Sequence, residues 1–361
     1  MGTPPAAWTD AAAVLAVRLD TMGDVLMTTP SIRALKARAG RRVTLLTSRP
    51  GAAIAALVPE IDDVITYDAP WMKASPLAMD GAADRELIEE LRARGFDAAV
   101  IFTAYSQPSL PAALLCRLAD IPLRLAHSRD KPYGLLTDWV PETEPEEGVR
   151  HEARRQLDLV AHVGAQTADE RLSLAIPEAP RARARELEAR EGLDAGADWL
   201  VLHPGATAPS RRYPPESFIE AAGRLSEKDG RRILVTGDAG ERELAASIAA
   251  AVPGATSVAG ELDLPALCAL IADAPLLIAN NTGPVHIAAA VGTPVVDLYA
   301  LTNPQHQPWK VPSLVLSHDV PCRWCHSSVC LTGHHHCLRL VTPDQVVEAA
   351  RTLTSGRLGA G

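Results

Sequence analysis

Short apolar or β-branched runs alternate with polar loops and segments of helical period along most of this 361-residue chain. Residues 14–19, 43–47, 64–67 and 98–102 form short apolar runs bounded by turn residues, as buried strands do. Thr29 and Pro30 match an N-cap followed by proline in the first helical turn, which predicts a helix from there to about Arg38, stopped by Gly40. Residues 85–94 predict a second helix, before the fourth run. Strands alternating with helices specify a parallel sheet covered on its faces by helices.

The pattern breaks at residues 164–196, which are rich in Arg, Glu and Ala and interrupted by Pro177 and Pro180. A charged helix over 181–191 and a connector are expected there. The alternation then restarts, with strands predicted at 199–202, 233–236, 276–279 and 295–299. Helices are predicted at 215–226, 241–252, 264–273, 285–291 and 343–353. The expected organisation is an N-terminal domain over 1–165, a connector over 166–195, a second domain over 196–340, and a C-terminal helix and tail over 341–361. Both domains should be doubly wound α/β units facing each other, with ligands bound beyond the carboxyl ends of the strands.

Composition narrows the function. The formal net charge is −9 and aromatic residues make up 4%, against a protein that coats nucleic acid. A hydrophobic fraction of 47% with 22% charged residues is that of an ordinary globular chain. No apolar run approaches a membrane span, and no basic, secretory-type leader precedes residues 11–17, so a cytoplasmic location is expected, with peripheral membrane contact left open.

Three strand-to-helix loops gather chemistry at the expected sheet edge. The first runs from Arg18 through Gly23 to Asp24. Asp24 caps a helix or serves as a general base, and Arg18 with Gly23 offers an anchor for an anionic acceptor. The second, residues 203–214, holds Gly205, Thr207, Ser210, Arg211 and Arg212, and suits a diphosphate without being a Walker A loop. The third, Asn280-Asn281-Thr282-Gly283-Pro284-Val285-His286, sets a helix N-terminus against a second anion site. Residues alone leave open whether Thr282 merely caps and His286 merely packs. Arg124, Arg129, Lys131 and Arg150 read as surface cations rather than acceptor contacts.

Cys116 and Cys268 lie alone in apolar stretches and read as small buried thiols. The other four form Cys322-x2-Cys325-x4-Cys330-x6-Cys337, beside His326, His334, His335 and His336. Four thiolates so close suit a structural zinc or iron, with disulfides or free thiols as the other outcomes. Such a site has no open position for catalysis.

The segments VRLDTMGDVLMTTPSIRALK, LHPGATAPSRRYPPESF, LVTGDAGERELAASI and IANNTGPVHIAAAVGTPVVDLYALTNP carry a resemblance that runs in order from about Val14 to Ala350. The chain resembles glycosyltransferase family 9, the heptosyltransferases and their relatives. That resemblance implies the GT-B architecture, two facing Rossmann-like domains with parallel sheets. It implies an inverting transfer, usually from an ADP-activated heptose, to a hydroxyl acceptor without a catalytic metal. It gives Asp24 the role of general base, and Thr207, Arg211, Glu241, Asn281, Thr282, Gly283 and His286 contacts to the donor. Family members have cysteine clusters of this kind, and the related autotransporter heptosyltransferases bind iron through theirs. Many heptosyltransferases carry Asp at the position of Asn281, so the donor sugar is less closely specified than the chemistry. The acceptor is left open among a glycan, a natural product and a protein. Another nucleotide sugar, or a nucleotide-sugar epimerase of like fold, is the alternative; a zinc-knuckle nucleic-acid binder fits the charge and aromatic content poorly.

Overall fold

The computed structural model describes residues 7–72, 80–193 and 197–355. The end of the expected connector and the tail beyond Ser355 lie outside the described residues. The chain divides into two compact units, Met1–Ser173 and Leu174–Gly361.

The first unit runs β1 (Ala13–Arg18), α1 (Met22–Lys36), β2 (Arg42–Thr47), α2 (Arg49–Ala55), β3 (Asp63–Thr66) and α3 (Ala82–Arg94). It continues with β4 (Ala98–Ile101), α4 (Leu110–Leu118), β5 (Leu123–Ser128), β6 (Asp138–Pro141) and α5 (Glu152–Ala161). Its six strands pair in parallel in the order β3-β2-β1-β4-β5-β6. A core of Leu15, Val17, Ile101, Leu91, Ala113 and Ile121 fills one face, where the apolar runs have no polar side to show.

The second unit opens with α6 (Glu178–Arg190), β7 (Trp199–His203), α7 (Pro215–Asp229), β8 (Arg232–Val235), α8 (Arg242–Ala251) and β9 (Ala255–Ser257). It closes with α9 (Leu264–Asp273), β10 (Leu277–Asn280), α10 (Gly283–Val291), β11 (Val295–Leu298), β12 (Ser313–Leu316), α11 (His336–Arg339) and α12 (Pro343–Ser355). Its parallel order, β12-β11-β10-β7-β8-β9, repeats the topology of the first sheet. The C-terminal helix α12 packs on α7 and the β11–β12 side, burying Val346, Val347 and Ala350 in this unit's core. The charged helix α6 packs on α9 and buries Ala184 and Leu187.

In each sheet the winding reverses beside the first strand, between β1 and β4 and between β7 and β10. Loops leaving two such strands diverge to opposite faces and open a crevice at their carboxyl ends. The first two candidate loops follow β1 and β7; the third follows β10.

One helix differs from expectation. Thr29 and Pro30 do not begin α1; the helix starts at Met22 and carries Pro30 inside. Proline at that position cannot donate to the carbonyl of Leu26. The Thr29 hydroxyl donates to it instead, at 2.7 Å, so the bond lost from the backbone is replaced by its neighbour's side chain.

Candidate functional site

In the first unit the loop after β1 is organised by Arg18, whose side chain has 0% exposure. Its guanidinium pairs with Glu152 at 2.7 Å, Asp20 at 2.9 Å and Asp24 at 3.0 Å. Arg18 is therefore not an open anchor for an acceptor: three carboxylates consume a cation that burial would otherwise make costly. Asp24 is held from its other side as well, where the Thr21 hydroxyl and N–H donate to Oδ2 at 2.7 and 3.1 Å. Asp24 closes a capping box with Thr21 while its carboxylate stays partly accessible. Gly23 is buried beside it. Asp20 accepts from Gln107 Nε2 at 2.5 Å, which ties the loop after β1 to the loop after β4. Burial pushes the Asp20 carboxyl up to about 6, against the opposing pull of Arg18. Glu152 lies on α5, where Gln156 donates to it at 2.6 Å and to the Thr103 carbonyl at 2.9 Å. Nothing in residue spacing announced Glu152, which joins the site only where α5 packs on α1.

The four cations near this unit have partners of their own. Arg124 is buried rather than exposed and donates to the carbonyls of Leu135, Pro122 and Gly134 at 2.7, 3.2 and 3.2 Å. Arg129 pairs with Glu146, and Arg150 with Glu144 and Asp158. Lys131 lies over the Tyr133 ring at 5.4 Å.

In the second unit two successive asparagines divide the work. Asn280 Nδ2 donates to the Pro204 carbonyl at 2.7 Å, and its Oδ1 accepts from the Tyr213 N–H at 2.9 Å, pinning both ends of the loop after β7. Asn281 turns toward β11 and donates to Asp297 and to the His306 carbonyl at 2.9 and 3.0 Å. Thr282 occupies the N-cap position of α10 without capping it; its hydroxyl donates back to the Asn280 carbonyl at 3.2 Å. The first turn from Gly283 thus lacks a side-chain cap, with Pro284 supplying no N–H, while His286 packs inside. Arg211 ends a short 3-10 turn, and its charge is felt at Asp297; Thr207, earlier in the loop, is exposed. Ser210 anchors this turn to the cysteine-rich segment, its N–H donating to the Ser328 carbonyl at 3.0 Å and its hydroxyl to Ser327 at 2.7 Å.

Glu241 lies between the loops after β7 and β8. Its Oε2 accepts from the Asp238 N–H at 3.0 Å and lies 3.8 Å from His203 Nε2. Gly205 permits this, since a Cβ there would fall 1.9 Å from Glu241 Oε1. Burial raises the Glu241 carboxyl, and it lowers His203 to about 4.

The six cysteines are thiols. Cys322 Sγ lies 3.6 Å from His334 Nε2, and burial of Cys337, with Cys330, Cys322 and Cys325 in electrostatic reach, raises its thiol. Among the described residues no three His, Cys, Asp or Glu side chains are set to hold one metal ion.

Two parallel sheets of this order, with polar loops at the carboxyl ends of their switch-point strands, make two Rossmann-like units of the GT-B kind. The GT-B fold matches across nearly the whole chain. A glycosyl transferase family 9 structure from Veillonella parvula superposes with a TM-score of 0.80 at 22% identity, covering 98% of this chain and 99% of that one. The Escherichia coli heptosyltransferase WaaC with ADP-2-deoxy-2-fluoro heptose gives a TM-score of 0.68 at 22% identity, covering 94% and 99%. In sequence, lipopolysaccharide heptosyltransferase 1 of Pseudomonas aeruginosa is 27% identical over 321 residues, 88% of this chain and 87% of the relative. Residues 85–336 match the family model of glycosyltransferase family 9 (heptosyltransferase), and the chain belongs to that family. It is a glycosyltransferase.

Proposed function

We propose that this enzyme moves a heptose from an ADP-activated donor to a hydroxyl acceptor, with inversion, in a single displacement. The observation that carries this reading is the carboxyl end of β7 and β10, where Arg211, Asn281 and the uncapped first turn of α10 belong to two loops tied together by Asn280. Main-chain N–H groups and a guanidinium are the donors a diphosphate takes, and the helix dipole adds to them. Glu241 is proposed for the nucleoside, with Thr207 and Arg211 on the phosphates and Asn281, Thr282, Gly283 and His286 around the sugar side. Asp24 takes the proton from the acceptor hydroxyl as its oxygen bonds to the anomeric carbon. The bond from that carbon to the phosphate oxygen breaks, and ADP leaves with the electron pair, stabilised by the same donors. Arg18 acts in this scheme by orienting Asp24.

The names of the relatives point to a lipopolysaccharide glycan as acceptor, and the proposal places the reaction in the cytoplasm. No helix among the described residues is long and apolar enough to cross a membrane. Calorimetric titration with ADP, UDP, GDP and TDP, then with ADP-heptose, tests the donor. Selective binding of ADP and its heptose conjugate is expected; a preference for another nucleotide removes the heptose from the proposal.

A further inference from the structure

The ends of β10 and β11 bury a carboxamide–carboxyl pair beneath the 280–286 loop. Asp297 has 0% exposure, and the Asn281 carboxamide donates to its Oδ2 at 2.9 Å. The same amide nitrogen donates to the His306 carbonyl at 3.0 Å, so its hydrogens are used within the protein. Rotating the carboxamide by half a turn would set its oxygen against the His306 carbonyl, an acceptor in every protonation state, and against Asp297 as a second acceptor wherever that acid is ionised, which favours the orientation seen. The Asn281 N–H is also held, by the Leu298 carbonyl at 3.1 Å. What Asn281 has left is Oδ1, an acceptor with no donor among the described residues. A buried acid in the strand Val295–Leu298 costs free energy that an apolar side chain would not. Its remaining oxygen, Oδ1, has no hydrogen-bond partner among the described residues either.

We propose that Asp297 is a positioning residue for the donor: it holds the Asn281 carboxamide so that Oδ1 is presented to a hydroxyl of the transferred sugar. This rests on the donor reading of the 280–286 loop. Burial lifts the Asp297 carboxyl to about 8, with Arg211 the charged group that pulls against it. Near neutral pH the acid is thus largely protonated and places little negative charge beneath a diphosphate.

The test titrates the full chain separately with ADP and with ADP-heptose, for wild type, Asp297→Ala, Asp297→Asn, Asn281→Ala and the Asn281→Ala/Asp297→Ala double variant. Removing the acceptor in Asp297→Ala frees the carboxamide to rotate and should weaken ADP-heptose about tenfold, the scale of one hydrogen bond, with ADP itself unchanged. Asp297→Asn keeps an acceptor of the same shape and should retain wild-type affinity for both. In the Asn281→Ala background, Asp297→Ala should cost nothing further, because the residue acts through Asn281. Equal losses for ADP and ADP-heptose in Asp297→Ala would make Asp297 general support for the loop and overturn the proposal. So would wild-type affinity in that variant, or an undiminished loss in the Asn281→Ala background. Should Asp297→Ala not fold, the isosteric Asp297→Asn carries the test together with Asn281→Ala, where loss of ADP-heptose binding in Asp297→Asn counts against the proposal. A wild type that binds neither nucleotide overturns the donor reading itself, and this proposal with it.

Discussion

One guanidinium, Arg18, binds three carboxylates, and only Asp24 among them has been proposed to meet the acceptor. Replacing Asp24 by alanine should lower transfer by about 100-fold or more, the usual worth of a general base, while leaving ADP affinity intact in calorimetry. Arg211→Ala should do the reverse in part, weakening ADP about tenfold through the loss of a charge-assisted contact. Asp297 makes a different claim, about stability. Its carboxyl is raised by burial from an unfolded value of 3.8 to about 8, so the folded state binds the proton more tightly. Its contribution is fully present below pH 4 and is lost as the pH rises through about 8. Asp297→Asn cannot ionise there, so its denaturation midpoint relative to wild type should climb between pH 5 and pH 8.5. A constant difference across that range would show that the acid does not titrate on unfolding.

At the scale of elements, α1 shows where sequence signals compete. Thr29-Pro30 carries a helix-start signal, yet eight residues before Pro30 the chain is already helical, because Thr21 and Asp24 form a capping box. The interior proline is tolerated through the Thr29 hydroxyl, which donates to Leu26 and accepts from the Ser173 N–H at 3.0 Å. Thr29→Val leaves both groups unpaired in a buried setting and should destabilise the first unit by about 1–3 kcal/mol in chemical denaturation. The strands that pattern reading found are predominantly apolar or β-branched; β5 escaped because Arg124 and His127 interrupt it, although both are buried, Arg124 against backbone carbonyls. Edge strands β6, β9 and β12 escaped because few of their positions are buried. The loops of the candidate site were legible for the opposite reason: Gly, Pro and hydroxyl residues punctuate them. Asp297 left a visible signal, a single charge in an apolar run, but its meaning depends on Asn281 lying across the strand pair. The turn bearing Arg211 is likewise supported from far along the chain, through Ser210. Ser210→Ala deletes the bond to Ser327 and should weaken ADP about threefold to tenfold without changing its selectivity over UDP, which titration with both nucleotides would measure.

For the molecule as a whole, the two units repeat one topology but carry different chemistry. Every residue proposed for the donor, from Thr207 to His286, lies in Leu174–Gly361, and so do Asp297 and the cysteine-rich segment that holds Ser210. Asp24 and its buried counter-ions lie in Met1–Ser173. The second unit also owns both of its flanking helices, since α6 packs on α9 and α12 completes the core with Val346, Val347, Ala349 and Ala350. A fragment beginning at Leu174 and keeping α12 therefore retains its own core, and it should fold and bind ADP within about threefold of the full chain, a margin under 1 kcal/mol. It should have no transferase activity, because it lacks the proposed base. The same fragment with Arg211→Ala should lose ADP affinity by the factor seen in the full chain, which ties binding to the β7 loop. A well-folded fragment that ignores ADP would mean that nucleotide recognition draws on Met1–Ser173, and the assignment of the whole donor site to one unit would have to be given up.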